Sequence, residues 1–187
     1  MKNKINVGVS NRHVHLTEEV YNKLFFEPIS KKNDLHQIGE YASEQVVTIK
    51  TEKGYIQNVR VLGPFRDYNQ VEISRTDAFK LGICPPVRRS GDLDKSETVT
   101  LISDKGSVTL ENSCIIANRH VHMNSEMANQ LGVVDNQQVK IIVGGDKACI
   151  LFANIKISDN GFYELHIDFD DANAAGLKNG DEVEIII

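Results

Sequence analysis

Asn11-Arg12-His13-Val14-His15-Leu16 returns further along the chain as Asn118-Arg119-His120-Val121-His122-Met123. Imidazole is the commonest metal ligand, and a motif that keeps both histidines in two copies points to ligation rather than packing. Side chains alternate along an extended strand, so His13 and His15 share one face, as do His120 and His122. Each His-x-His is therefore half of a possible metal site. A second repeat lies downstream. Val71-Glu72-Ile73-Ser74-Arg75-Thr76-Asp77-Ala78 aligns without a gap on Leu165-His166-Ile167-Asp168-Phe169-Asp170-Asp171-Ala172, which sets Gly82 on Gly176 and Glu72 on His166. Both copies read as a strand running into a short capped helix. The expectation is an internally duplicated chain of two related β-domains about a pseudo-twofold.

The flanking sequence supports a mainly β fold. Alternating, β-branched segments occupy 5–10, 45–51, 59–62, 98–103, 107–110, 139–143, 148–157, 163–167 and 182–187. Turn signals such as Glu52-Lys53-Gly54, Asp104-Lys105-Gly106 and Ser158-Asp159-Asn160-Gly161 separate neighbours as hairpins would, and Gly144-Gly145-Asp146 reads as a hairpin turn. Helical pieces are short, at 17–25, 76–81, 125–131 and 170–175. Each opens near a Ser, Thr or Asp able to cap it, and three run into Gly82, Gly132 or Gly176. Many short strands with tight turns point to barrels or sandwiches. The stretch 27–44 has no counterpart in the second half and reads as an insertion.

Bulk properties exclude several classes. The chain has 187 residues, 41% hydrophobic and 25% charged, the profile of a globular domain or two. A net charge of −5 argues against a general nucleic-acid binder. No apolar run reaches the length of a membrane span, and no signal-peptide core follows Met1, so the expected location is cytoplasmic. Cys84, Cys114 and Cys149 are odd in number and unclustered, which predicts buried free thiols rather than a disulfide framework.

The duplication supplies two three-residue sets, His13 with His15 and Glu72, and His120 with His122 and His166. Three protein ligands with an open position is the pattern of catalytic zinc. The bland alternative is that each His-x-His faces solvent or satisfies a local hydrogen bond. Near the first set, Arg66 precedes the strand bearing Glu72. A guanidinium beside a dication implies an anion between them, phosphate or carboxylate; a surface pair with Asp67 is the alternative. Arg88, Arg89 and Ser90, on the proline-stiffened loop beginning Pro85-Pro86, read either as a clamp for a phosphorylated cofactor or as a solvated basic loop.

These motifs together resemble the phosphate propanoyltransferase family, the phosphotransacylases of bacterial propanediol-type pathways. The carriers are Asn-Arg-His-Val-His-Leu at 11–16, Gly-Pro-x-Arg with Gln-Val-Glu-Ile-Ser within 63–74, and Thr-Asp at 76–77. Pro-Pro-Val-Arg-x-Ser-Gly-Asp at 85–92, Arg-His-Val-His-Met at 119–123, and His-Ile-Asp with Ala-Asn-Ala within 166–174 complete the set. The resemblance implies two β-barrels, the first from 2–11 plus 118–187 and the second from 12–117, with a dinuclear zinc centre between them. Val7-Gly8-Val9-Ser10 precedes one histidine motif as Cys114-Ile115-Ile116-Ala117 precedes the other, which agrees with that exchange of strands. By resemblance Arg66 grips phosphate, and Gln37, Glu40, Gln70 and Ser90 line the site. Two departures stand out: Ile38-Gly39-Glu40-Tyr41-Ala42 replaces a common Pro-Gly-Gln-Phe-Ala, and Lys156 stands where arginine is usual.

The activity so implied interconverts acyl-CoA (propanoyl-CoA or acetyl-CoA) plus phosphate with acyl phosphate plus CoA. The expected route is direct attack of metal-bound phosphate, with Gln70 a possible oxyanion donor. The resemblance also implies a homodimer. Few residues precede the first strand, so the branch without a microcompartment-targeting extension is expected. Two other readings stand beside it: a dinuclear zinc hydrolase of thioesters or phosphoesters, and a non-catalytic zinc-binding β-barrel module.

Overall fold

The computed structural model describes residues 3–159 and 161–187, and its internal contacts divide the chain into two compact units, Met1–Asn11 with Asn118–Ile187, and Arg12–Ala117. In chain order, β1 (Asn3–Ser10) and β2 (His13–His15) lead into α1 (Glu18–Leu24). Then come β3 (Lys31–Asp34), β4 (Tyr41–Lys50), β5 (Tyr55–Gly63), β6 (Gln70–Glu72) and α2 (Arg75–Leu81). β7 (Val87–Arg88), β8 (Glu97–Ile102), β9 (Ser107–Ala117), β10 (His120–Met123) and α3 (Ser125–Leu131) follow. The chain ends with β11 (Gln138–Val143), β12 (Cys149–Ile157), β13 (Glu164–Asp168), α4 (Phe169–Ala175) and β14 (Glu182–Ile186).

Each unit closes a ring of six strands. One ring runs β1-β13-β10-β12-β11-β14 and back to β1. The other runs β9-β6-β2-β5-β4-β8 and back to β9. The two orders correspond strand for strand, as does the register: β2 and β6 are antiparallel with His13 opposite Glu72, and β10 and β13 are antiparallel with His120 opposite His166. Val71 sits beside Cys114 in one parallel pair and Leu165 beside Val7 in the other. The expected mainly β, duplicated barrel fold with short helices is what the chain adopts. Closure leaves no edge strand within either ring.

Alternation fills both interiors. Val139, Ile141 and Val143 of β11 point inward while Gln138 and Lys140 face solvent, and Val99 with Leu101 does the same in β8. Burial of each such side chain contributes about 1.5–3 kcal/mol. One core gathers Ile5, Val7, Val121, Ile141, Ile155 and Leu165; the other gathers Val14, Leu24, Ile49, Val61, Val71 and Leu101. The helices are bounded by the expected chemistry. Thr17, Ser74, Asn124 and Asp168 accept N-cap hydrogen bonds from backbone amides, and Gly82, Gly132 and Gly176 end their helices at positive φ.

Three sequence readings need amendment. The signal at 158–161 does not join a hairpin, because β10 lies between β12 and β13, parallel to the first and antiparallel to the second. Turn residues specify a reversal, not a partner; Asn160 itself lies outside the described residues. Within the stretch 27–44, read as an insertion, β3 pairs with the start of β4. Val87 and Arg88, read as loop, add a short parallel strand to β9. Cys84 is exposed, whereas Cys114 is buried and Cys149 intermediate; all three are free thiols. Among the described residues no helix is long and apolar enough to cross a membrane.

Candidate metal centres and their surroundings

In the Arg12–Ala117 unit, the short strand β2 presents His13 and His15 on one face. The antiparallel β6 sets Glu72 opposite His13 and Gln70 opposite His15. Donor atoms of His13, His15 and Glu72 lie within 4.8 Å of one another. His13 Nε2 is 3.5 Å from Glu72 Oε2, and the two imidazoles meet edge to face at 5.0 Å between centroids. Two imidazoles and a carboxylate converging on one point fit zinc chemistry.

The other unit builds the same corner from β10 and β13. Donor atoms of His120, His122 and His166 again lie within 4.8 Å of one another. His120 Nδ1 is 2.8 Å from the carbonyl of Asn118, which can only accept. Nδ1 therefore carries the proton and Nε2 presents its lone pair, 3.0 Å from His122 Nε2. Phe162 stacks on the His122 ring at 5.4 Å. These residues fit a bound divalent ion as well as the first set does.

A duplicated ion pair anchors both corners. Arg12 Nη1 donates to Asp77 Oδ1 at 2.7 Å, and Arg119 Nη2 donates to Asp171 Oδ1 at 2.6 Å. Each arginine precedes its His-x-His, and each aspartate lies in the first turn of the helix after β6 or β13. The bond to Asp171 raises the pKa of Arg119.

The remaining residues expected in the first unit form one chain of contacts. Gln70, fully buried, donates through Nε2 to Glu72 Oε1 at 2.5 Å and to Ser90 Oγ at 2.9 Å. Its Oε1 accepts from the Gly91 amide at 2.7 Å. Gly91 holds φ +92°, a conformation open to glycine and strained for other residues. Ser90 Oγ also accepts from Arg66 Nη1 at 3.3 Å. Arg66 reaches the Tyr68 hydroxyl at 3.0 Å and Glu40 Oε1 at 2.7 Å, and Gln37 Nε2 donates to that same oxygen at 3.1 Å. Arg66 is thus paired with Glu40 across sequence, not with its neighbour Asp67 as the alternative had it.

Other expected positions lie around this chain of contacts. Arg88 Nε is 3.6 Å from Asp92 Oδ2, and Arg89 precedes Ser90 on the same loop. Lys156, in the other unit, lies on β12 beside His122 in the parallel register. Sequence reasoning passed over Tyr68, Gly91 and Glu164. Glu164 was within reach, because extending the second repeat one residue backward sets it on Gln70.

The family model described as phosphate propanoyltransferase matches residues 6–178. A phosphate propanoyltransferase of Thermotoga maritima is 47% identical, covering 96% of this chain and 88% of its own. Those of Citrobacter freundii and Salmonella typhimurium are 45% and 46% identical, each covering 94% of this chain and 85% of the relative.

Proposed function

Because the chain belongs to the phosphate propanoyltransferase family, we propose that it is a phosphate acyltransferase, interconverting acyl-CoA plus phosphate with acyl phosphate plus CoA. Propanoyl-CoA and acetyl-CoA are the acyl donors to try first. Two zinc ions are its proposed cofactors, one held by His13, His15 and Glu72, the other by His120, His122 and His166. Bound zinc supplies Lewis-acid charge that lets anionic phosphate approach an acyl-CoA already rich in phosphate.

The observation that carries the reading is the unbroken contact path from Glu72 through Gln70 and Ser90 to Arg66. A metal-ligand strand tied directly to a forked guanidinium suits a small tetrahedral anion. In this reading Arg66 grips phosphate, with Glu40 and Tyr68 holding the guanidinium plane. Gln70 and Ser90 fix the floor of the site; with both N–H groups given to Glu72 and Ser90, buried Gln70 holds Glu72 in place and is not the oxyanion donor expected from the sequence. A phosphate oxygen forms the new bond to the acyl carbon, the carbon–sulfur bond breaks, and the CoA thiolate leaves with its electron pair. Gln37, Arg88, Arg89 and Lys156 are proposed to contact the CoA phosphates.

Free-thiol release from propanoyl-CoA and acetyl-CoA, with and without phosphate, tests this. Phosphate-dependent release is expected. Release indifferent to phosphate would mean a thioester hydrolase, and none from zinc-loaded protein would leave a binding module. Arg66→Ala should lower phosphate-dependent turnover by about 100-fold or more while zinc content holds at two per chain; parallel loss of both would make Arg66 structural.

A further inference from the structure

The turn that carries Glu40 fixes where its side chain goes. Residues 35–40 join β3 to β4, with the Leu35 amide donating to the Glu40 carbonyl at 3.0 Å and the Glu40 amide donating to the Gln37 carbonyl at 3.0 Å. Gly39 takes φ +86°, the left-handed conformation that reverses the chain just before Glu40. Arg66 is anchored from the other side, its amide donating to the Leu16 carbonyl at 3.0 Å. The two side chains meet with only 20% of Arg66 and 17% of Glu40 exposed, so their contact is screened less than a surface pair.

The groups around the guanidinium are donors, with one exception. Arg66 Nη1 donates to the Tyr68 hydroxyl at 3.0 Å and to Ser90 Oγ at 3.3 Å. Each hydroxyl accepts there and keeps its own proton to donate. Arg66 Nη2 donates to Glu40 Oε1 at 2.7 Å, and Gln37 Nε2 donates to the same oxygen at 3.1 Å. Glu40 is the one carboxylate that touches Arg66 among the described residues, and its Oε2 receives no hydrogen bond from them. An anion at this place meets a guanidinium, two hydroxyl protons and one oxygen that only accepts.

That combination separates tetrahedral anions of the same shape. At neutral pH inorganic phosphate and arsenate keep a proton, and sulfate keeps none. Phosphate gripped by Arg66 through one oxygen turns an O–H toward Glu40 Oε2, and such a bond to a carboxylate is charge-assisted. Sulfate in the same seat sets bare oxygens against the carboxylate, like charge facing like charge with no proton between them. A site built to bond a ligand's proton rejects the isostere that lacks one. Glutamine at this position would remove the distinction, because its amide donates to either anion.

We propose that Glu40 is a specificity-determining residue that selects protonated phosphate over sulfate at Arg66, an assignment that rests on the phosphate-gripping reading of Arg66 above. Its Oε1 orients the guanidinium, and its Oε2 accepts the hydrogen bond from the O–H of phosphate.

The test titrates the zinc-loaded full chain at neutral pH with inorganic phosphate, arsenate and sulfate by calorimetry, and repeats the series on Glu40→Gln and Glu40→Asp. Phosphate and arsenate are expected to bind at least about tenfold tighter than sulfate. Glu40→Gln should shrink that preference by about tenfold, chiefly by tightening sulfate, and Glu40→Asp should restore part of it. Circular dichroism checks that both variants fold. An unchanged preference in Glu40→Gln overturns the proposal. If phosphate and sulfate weaken in parallel, Glu40 only holds the guanidinium; if both tighten in parallel, it only occupies the seat; either result overturns it. Arsenate siding with sulfate overturns it too, since the ligand's proton would then not be what is read. Arg66→Ala, titrated beside them, keeps the two readings apart: undiminished phosphate affinity in that variant, or no phosphate binding by the unsubstituted chain, would sink the Arg66 reading on which the proposal stands.

Discussion

Single residues in this chain owe their chemistry to what surrounds them. Cys114 lies wholly within a barrel wall, and burial pushes its thiol from 9.0 up to about 12. Burial likewise raises Tyr21 from 10.0 to about 12, while its hydroxyl donates to the Glu27 carbonyl. The sign follows from linkage: above pH 9 the unfolded chain releases a thiol proton that the folded chain keeps to about 12. Stability is therefore expected to fall as pH rises through that window, read as a declining urea midpoint. Native-state alkylation should label exposed Cys84 at once and Cys114 only on unfolding, because the reactive species is an accessible thiolate. Mass-spectrometric time courses decide it, and equal rates for the two would contradict the burial argument.

At the scale of elements, the seven-residue helix α2 is held less by its own propensity than by its ends. Ser74 and Asp77 exchange side-chain and backbone hydrogen bonds in a capping box, and Gly82 closes the helix at φ +65°. Asp77 has a second task, the ion pair from Arg12 that fixes the entry to the His13 strand. Ser74→Ala should cost about 1 kcal/mol, the usual value of an N-cap. Asp77→Ala should cost more, about 2–3 kcal/mol, because it removes the carboxylate half of the capping box and leaves a partly buried Arg12 without this acceptor. Chemical denaturation of the two variants checks the order; equal losses would mean the Arg12 pair adds nothing. Element types were largely legible beforehand, since alternation and capping act over a few residues. The short strands β3 and β7 escaped because their pairing is set by β4 and β9, far away in sequence.

For the whole molecule, ring closure is the organising fact. β1 is the first strand of the chain, yet it closes a barrel otherwise made from Asn118–Ile187 by pairing with β13 and β14. Removing residues 1–11 takes away Ile5 and Val7 and opens the ring between two strands, a loss of several kcal/mol on a scale where domains hold about 5–15. Hydrogen exchange should show the amides of β13 and β14 losing protection in the shortened chain. Retained protection there would show that β1 is dispensable to the ring.

By itself the sequence determined the duplication, the short capped helices, the two His-x-His strands and the residue that each repeat sets opposite them, Glu72 or His166, because all of these are written as local periodicity or as matching spacing. It also carried the family resemblance that the comparisons bear out. Only tertiary structure decided which strands pair, as with β10 lying between β12 and β13 where a turn suggested a hairpin. It alone tied Arg66 to Glu40 rather than Asp67, linked Gln70 to Ser90 and Gly91, and set Glu164 against His166. Those contacts join residues whose proximity comes from barrel closure, and closure is a property of the whole ring that no short stretch of sequence encodes.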